Sequence, residues 1–240
     1  MKVALISDVH GNRLALEAVL EDIVRQKVDA TFNLGDLVSG PLEPNWTADI
    51  LLDLDIPTVR GNHERNIIER RPEQLGPIDR FAQQQMDTRH RAWMNALPET
   101  LAMLDDVFLC HGTPRSCDEP WLDNWWNGRT VVTPDEAQVA AKAEGFDFPV
   151  MVCGHTHVPR AVRLKDGRLI VNPGSVGLQF HHGSPDARYA TVEVRGGTYY
   201  PSFHVVPYDH AAAARQAEAN GFPAWRDVLM TGWAGAEGLF

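Results

Sequence analysis

The sequence predicts an α/β domain in which two mixed β-sheets pack face to face with helices outside, a four-layer αββα sandwich. Three observations predict it. Short apolar runs alternate with helical periodicity over the first sixty residues, and hairpin patterns dominate after residue 100. Residue types that ligate metals recur where the apolar runs stop. All 240 residues read as one domain, with 114–148 as a small cap insertion and 208–240 as a C-terminal helix and tail.

Residues 3–6 form an apolar run closed by a loop, which reads as a buried strand. Leu14, Leu16, Val19, Leu20, Ile23 and Val24 then recur at helical spacing over 12–27, ending in Arg25 and Lys27. A second strand is expected at 30–34, a helix at 45–53 and a third strand at 57–60. This alternation predicts right-handed βαβ units and parallel strand pairing. Residues 64–97 are polar and helical in pattern. A hairpin is expected from 101–104 and 107–110 around Asp105-Asp106, and a helix near 134–144. Strands resume at 149–152, 161–164 and 168–172, the last two joined by the turn Asp166-Gly167. Residues 188–194 and 198–206 form a further pair, and a helix at 210–220 stops at Asn220-Gly221.

The chain is 44% hydrophobic and 22% charged, an ordinary globular composition. With 22 Lys+Arg against 32 Asp+Glu its net charge is −10, which disfavours a polynucleotide partner, since phosphate neutralisation needs a basic face. A small phosphorylated substrate held by metal ions remains compatible. No stretch approaches the roughly 20 apolar residues of a membrane span. Residues 1–6 run straight into Ser7-Asp8-Val9-His10, so no removable signal peptide is expected. Three cysteines (110, 117, 153) with no C-x-x-C favour a reducing, cytoplasmic location.

Five short segments follow predicted strand ends: Asp8-Val9-His10, Gly35-Asp36, Gly61-Asn62-His63-Glu64, His111-Gly112 and Gly154-His155-Thr156-His157. The carboxyl ends of parallel strands are where open α/β sheets place their sites. Strand alternation would let Asp8 and His10 point the same way, and likewise His155 and His157. Two Asp, one Asn and several His exceed what one ion can use, whereas two ions sharing a bridging carboxylate can use them. Mixed nitrogen and oxygen ligation suits divalent Mn, Fe, Zn, Co or Ni and is too nitrogen-rich for Ca or Mg. Two such ions about 3.5–4 Å apart form the clamp used for in-line displacement at phosphorus.

In this order the blocks resemble the calcineurin-like metallophosphoesterase superfamily, whose pattern is D-x-H, G-D, G-N-H-[ED], H, then G-H-x-H. The resemblance implies a first ion on Asp8, His10 and His157, a second on Asn62, His111 and His155, and Asp36 bridging them. It implies attack by a bridging hydroxide, with His63 protonating the leaving oxygen or stabilising the transition state. The same resemblance implies the two-sheet fold. Val171-Asn172-Pro173-Gly174-Ser175-Val176-Gly177 and Asp8-Val9-His10-Gly11-Asn12 look like the small bacterial and archaeal branch, phosphodiesterases or relatives of diadenosine tetraphosphatase. The similarity covers about residues 1–195.

One stretch departs from the pattern. Ser/Thr protein phosphatases of the superfamily carry G-D-x-V-D-R-G, whose Asp and Arg assist the catalytic His and hold the phosphate. Ser39 and Gly40 stand at those two positions here, and Arg60 is not the missing clamp. Small phosphodiesters or nucleotide polyphosphates are therefore the expected substrates, ahead of a phosphomonoesterase or protein phosphatase. The rival from another class is a non-catalytic scaffold, like the retromer subunit that resembles this superfamily. The complete ligand set with His63 weighs against it.

Outside these blocks, Arg13, Arg65 and Arg115 are candidates to hold a phosphate oxygen. Trp121, Trp125 and Trp126 could stack on a nucleobase, at about 1–3 kcal/mol each, or form the core of a cap or a subunit contact. Cys110 and Cys153 read as buried strand cysteines. His90, His204 and His210 lack ligand spacing, and so do His181 and His182, which read as a solvated loop pair. Trp225, Trp233 and Phe240 suggest that the tail docks on the body or on a second subunit of a homo-oligomer.

Overall fold

A computed structural model of the chain describes residues 1–123, 132–179, 183–233 and 239. Trp125, Trp126, His181, His182 and Phe240 lie outside the described residues.

The chain opens with β1 (Lys2–Ile6), α1 (Arg13–Gln26), β2 (Ala30–Asn33) and α2 (Pro44–Leu54). Asn12 starts α1 by accepting the Ala15 amide at 3.2 Å, which satisfies one of the orphan donors of the first turn. The strand expected at 57–60 is reduced to a single parallel bridge between Asn33 and Thr58. The segment leaves the sheet at once because the Arg60 amide turns to the Pro98 carbonyl (2.8 Å) and Gly61 caps the next helix. The helical stretch follows as α3 (Asn62–Glu69), a 3₁₀ turn (Pro72–Gln74), α4 (Pro77–Gln85) and α5 (Thr88–Ala96).

Next come β3 (Thr100–Met103), β4 (Val107–Cys110), α6 (Glu136–Lys142), β5 (Val150–Val152), β6 (Arg160–Arg163) and β7 (Leu169–Asn172). The β3–β4 turn is entered one residue earlier than expected, with Leu104 and Asp105 both left-handed. The chain closes with β8 (Ala187–Arg195), β9 (Thr198–Val206), α7 (His210–Ala219) and a helix missing from the sequence reading, α8 (Pro223–Thr231). Its signals were Pro223 at the first helical position and Trp225, Val228 and Leu229 on one helical face.

Among the described residues the strands form two mixed sheets, ordered β2-β1-β8-β9 and β3-β4-β5-β7-β6. Parallel pairs join β1 to β2, β4 to β5 and β5 to β7, and the other ladders are antiparallel. Strand alternation divides the core into layers. Val3, Leu5, Val107, Leu109, Val150 and Val152 meet between the sheets. Ala4 and Ile6 face α1 and α2, while Phe108, Cys110 and Met151 face Val139 of α6 and Trp121 on the opposite outside. The carboxyl ends of β1, β2, β4 and β5 open on one edge of this sandwich. No helix among the described residues is long and apolar enough to cross a membrane.

Candidate metal centre

All seven candidate ligands sit just beyond secondary-structure ends on that edge. Asp8 and His10 follow β1, Asp36 follows β2, Asn62 begins α3, His111 follows β4, and His155 and His157 follow β5. The loops are zipped together by backbone bonds: Asp8 N to Gly35 O (2.9 Å), His10 N to Asp36 O (3.0 Å) and Gly154 N to His111 O (2.7 Å).

Strand alternation does not aim these side chains. Asp8, His10, Asp36, His155 and His157 all have left-handed backbones, with φ of 55°, 50°, 54°, 68° and 58°. For a residue with a Cβ this costs about 1–2 kcal/mol each and persists only where surrounding contacts fix it. Asp8 and His10 do meet in one cluster. His155 and His157 part company instead, His155 joining Asp36 and His111 while His157 joins Asp8 and His10. In each trio the donor atoms lie within 4.8 Å of one another.

Asn62 Oδ1 lies 3.1 Å from His111 Nε2 and 3.0 Å from His155 Nδ1, completing the second cluster. Asp36 Oδ2 is 3.1 Å from His111 Nε2, and its Oδ1 accepts the His63 amide at 3.1 Å. Burial opposes ionisation of Asp36, but the imidazoles of His111, His63 and His10 outweigh it and hold the carboxyl well below the usual range. Asp36 thus senses histidines of both clusters.

The donor chemistry fits transition-metal ions. His10, His111 and His157 donate Nδ1–H to the carbonyls of Ser39 (2.6 Å), Leu34 (2.7 Å) and Leu178 (2.7 Å). A carbonyl only accepts, so each ring carries a proton on Nδ1 and turns Nε2 inward. Burial would lower His111, but Asp36 outweighs it and raises that ring to about 10 in the metal-free protein, so a cation at His111 Nε2 would take the place of a proton. Burial, aided by His157, pushes His10 down to about 3; burial with His111 pushes His155 down to about 4. Both rings are therefore in the neutral, ligating form at pH 7. The Nε2 atoms of His10 and His157 converge to 3.1 Å beside Asp8 Oδ1, 3.4 Å from His157 Nε2, an arrangement that a shared cation satisfies.

His63 stands next to this group, with Nε2 3.9 Å from Asp36 Oδ2. Its Nδ1 lies 2.6 Å from Oδ1 of Asp79, and Ser39 Oγ donates to the same oxygen at 2.5 Å. Burial alone would lower the imidazole, but Asp36 and then Asp79 outweigh it and raise His63 to about 9. His63 therefore carries its proton at neutral pH in the metal-free protein. Asp79 escaped the sequence reading, its only sequence signal being an acidic residue just after Pro77, in the first turn of α4.

Glu64 is the second residue that the reading left without a role. Its carboxylate accepts the amides of Asp36 (2.8 Å), Gly61 (3.1 Å) and Leu37 (2.8 Å), tying the β2 loop to the start of α3. Gly40 also has a steric reason. A Cβ there would lie 2.1 Å from the His10 carbonyl oxygen, so no side chain fits where the protein phosphatases carry Arg.

The remaining candidates have structural partners. Arg13 pairs with Glu43 and Glu17, and Arg65 with Asp118. Arg115 bonds backbone carbonyls and lies over Phe146, while Arg60 pairs with Glu99. Trp121 is buried and donates its indole N–H to the Val139 carbonyl at 3.0 Å. Cys110 and Cys153 are buried free thiols. His90 lies between Asp49 and Asp87, and His204 stacks on Tyr189, both away from the clusters.

Comparison with known proteins places this geometry in a family. Residues 1–197 match the model of the calcineurin-like phosphoesterase superfamily domain. A crystal structure of a metallophosphoesterase from Sphaerobacter thermophilus is similar over 97% of this chain and 100% of its own, with a TM-score of 0.78 and 28% identity. An uncharacterized protein of Methanocaldococcus jannaschii is 25% identical over 93% of this chain and 94% of its own. A putative diadenosine tetraphosphatase shares the fold, with a TM-score of 0.53 and 19% identity over 84% of this chain and 93% of its own. With its two sheets, its paired clusters of candidate ligands and this match, the chain belongs to the calcineurin-like phosphoesterase superfamily.

Proposed function

We propose that the protein is a dinuclear metal-dependent phosphoesterase that hydrolyses small phosphodiesters or nucleotide polyphosphates. The observation that carries this reading is the pair of three-residue clusters, Asp8/His10/His157 and Asp36/His111/His155, with His63 beside them. The first would hold one divalent ion (Mn, Fe, Zn, Ni or Co); the second, with Asn62, would hold another, and Asp36 would be shared. Such ions supply Lewis acidity toward the phosphoryl oxygens and a water-derived nucleophile at neutral pH.

The protein supplies the rest. His10, His111 and His157 are locked by their carbonyl partners, so little reorganisation is needed when charge develops. With Nδ1 on Asp79, His63 presents Nε2–H toward the site, placed to protonate a leaving oxygen. A phosphomonoester dianion demands more positive charge than a diester monoanion. Gly40 excludes the phosphatase arginine, and Arg13, Arg65 and Arg115 are engaged elsewhere, which supports diesters. The free thiols suit the cytoplasm.

The test is a substrate panel on metal-reconstituted protein: bis(p-nitrophenyl) phosphate, p-nitrophenyl phosphate, cyclic nucleotides and dinucleoside polyphosphates. The expected result is a kcat/KM for a diester or dinucleoside polyphosphate at least about tenfold above the monoester, equivalent to about 1.4 kcal/mol. A monoester preference would transfer the assignment to a phosphomonoesterase.

A further inference from the structure

We propose that the C-terminal helices α7 and α8, outside the family match at 1–197, belong to the metal centre, and that Trp225 of α8 is a positioning residue for His10. The inference rests on the reading that the Asp8/His10/His157 cluster holds an ion.

Trp225 is fully buried, and its ring meets that of His10 edge-on, with centroids 6.4 Å apart and planes at 65°. Its indole N–H donates to the Leu239 carbonyl at 2.9 Å, which fixes the ring in its plane. Edge-to-face rings at this separation are a favourable arrangement and restrict each other's rotation. Trp225 and the Ser39 carbonyl thus join the rings of His157 and His63, at centroid distances of 4.9 and 5.4 Å, around the imidazole of His10, and Trp225 is the support that comes from α8.

The same two helices support both outer partners of this cluster. At the end of α7, the Asn220 amide donates to the carbonyls of Pro41 (2.8 Å) and Leu42 (3.3 Å), in the loop whose Ser39 carbonyl holds His10. Leu178, whose carbonyl holds His157, packs its side chain in the same apolar cluster as Trp225, Val228 and Leu229. The second cluster is braced differently. His111 leans on the carbonyl of Leu34, whose side chain belongs to the core between the sheets. Loosening α8 should therefore weaken one ion site and spare the other.

The experiment titrates Mn²⁺ into metal-free, full-length Trp225→Ala, Trp225→Phe and Asn220→Ala, followed by calorimetry and electron paramagnetic resonance. His10→Ala and His111→Ala identify which site is which. Wild type should bind two Mn²⁺. Trp225→Ala should weaken the site lost in His10→Ala by about 10-fold or more, the scale of outer-shell substitutions, and leave the site lost in His111→Ala unchanged. Trp225→Phe, which keeps an aromatic edge, should restore most of the affinity, and Asn220→Ala should weaken the same site more mildly. Unchanged binding at both sites, or equal weakening of both, would overturn the proposal. If Trp225→Ala does not fold, Asn220→Ala decides: selective weakening supports the proposal and an unaltered pair of sites overturns it. Wild type binding fewer than two ions would instead defeat the dinuclear reading.

Discussion

The Nδ1 atom of His63 lies 2.6 Å from the Oδ1 atom of Asp79, joining the start of α3 to the first turn of α4. Asp79 provides from a different element the carboxylate that Ser39 cannot provide in the loop after Asp36. Ser39 bonds the same oxygen, so the loop and the helix share one buried acceptor.

Asp79→Asn should lower kcat and move its alkaline limb to lower pH. The raised value of His63, about 9, keeps the proton on below that pH, so acid catalysis is present there and is lost as pH rises through it. Removing the Asp79 charge removes part of that elevation, and the limb should move down by about one pH unit or more. The contribution of His63 to stability, from Asp36 first and Asp79 second, has the same sign, fully present below about 6.5 and lost as pH rises through about 9. A pH–rate profile of wild type and variant measures this, and an unmoved alkaline limb would remove Asp79 from the account.

Glu64→Gln should destabilise the metal-free protein by about 1–3 kcal/mol. The Glu64 oxygens accept three buried amides, and a carboxamide must turn an N–H toward at least one of them. Thermal unfolding should show a fall of roughly 2–4 °C per kcal/mol. Metal affinity should fall too, since Asp36 and Asn62 both depend on the segments that Glu64 joins. An unchanged melting temperature would mean that these amides find other partners.

Gly40→Ala should cost more than an ordinary surface substitution, about 1–3 kcal/mol or above, because its Cβ would collide with the His10 carbonyl oxygen. Gly40→Arg should not create a protein phosphatase; it should displace His10 and lose metal. Metal content and the diester-to-monoester ratio of the purified variants check both statements.

The residues of the two clusters were legible because their signal is local: a strand stops, and Asp, Asn or His appears beside Gly. The sheets were legible for a similar reason, since short continuous apolar runs mark β1, β4 and β5 as strands buried on both faces. What the sequence hid was the cause of the aim. Asp8, His10, His155 and His157 reach the site through left-handed backbone, which no pattern of residue types announces. Asp79 was hidden because it lies 16 residues beyond His63 in a polar helix and reaches it only through the packing of α4 on α3. Trp225 was hidden because Asn220-Gly221 reads as the end of the last helix, although the chain turns there and begins α8.

In the proposed centre, seven side chains between Asp8 and His157 hold two cations that share Asp36. Metal counting on Mn²⁺-reconstituted protein, combined with electron paramagnetic resonance, addresses it most directly. Wild type should bind two Mn²⁺ per chain with exchange-coupled spins, and Asp36→Asn should lose both the coupling and turnover. A single uncoupled ion in the wild type, or an Asp36→Asn variant that keeps a coupled pair and full activity, would contradict it.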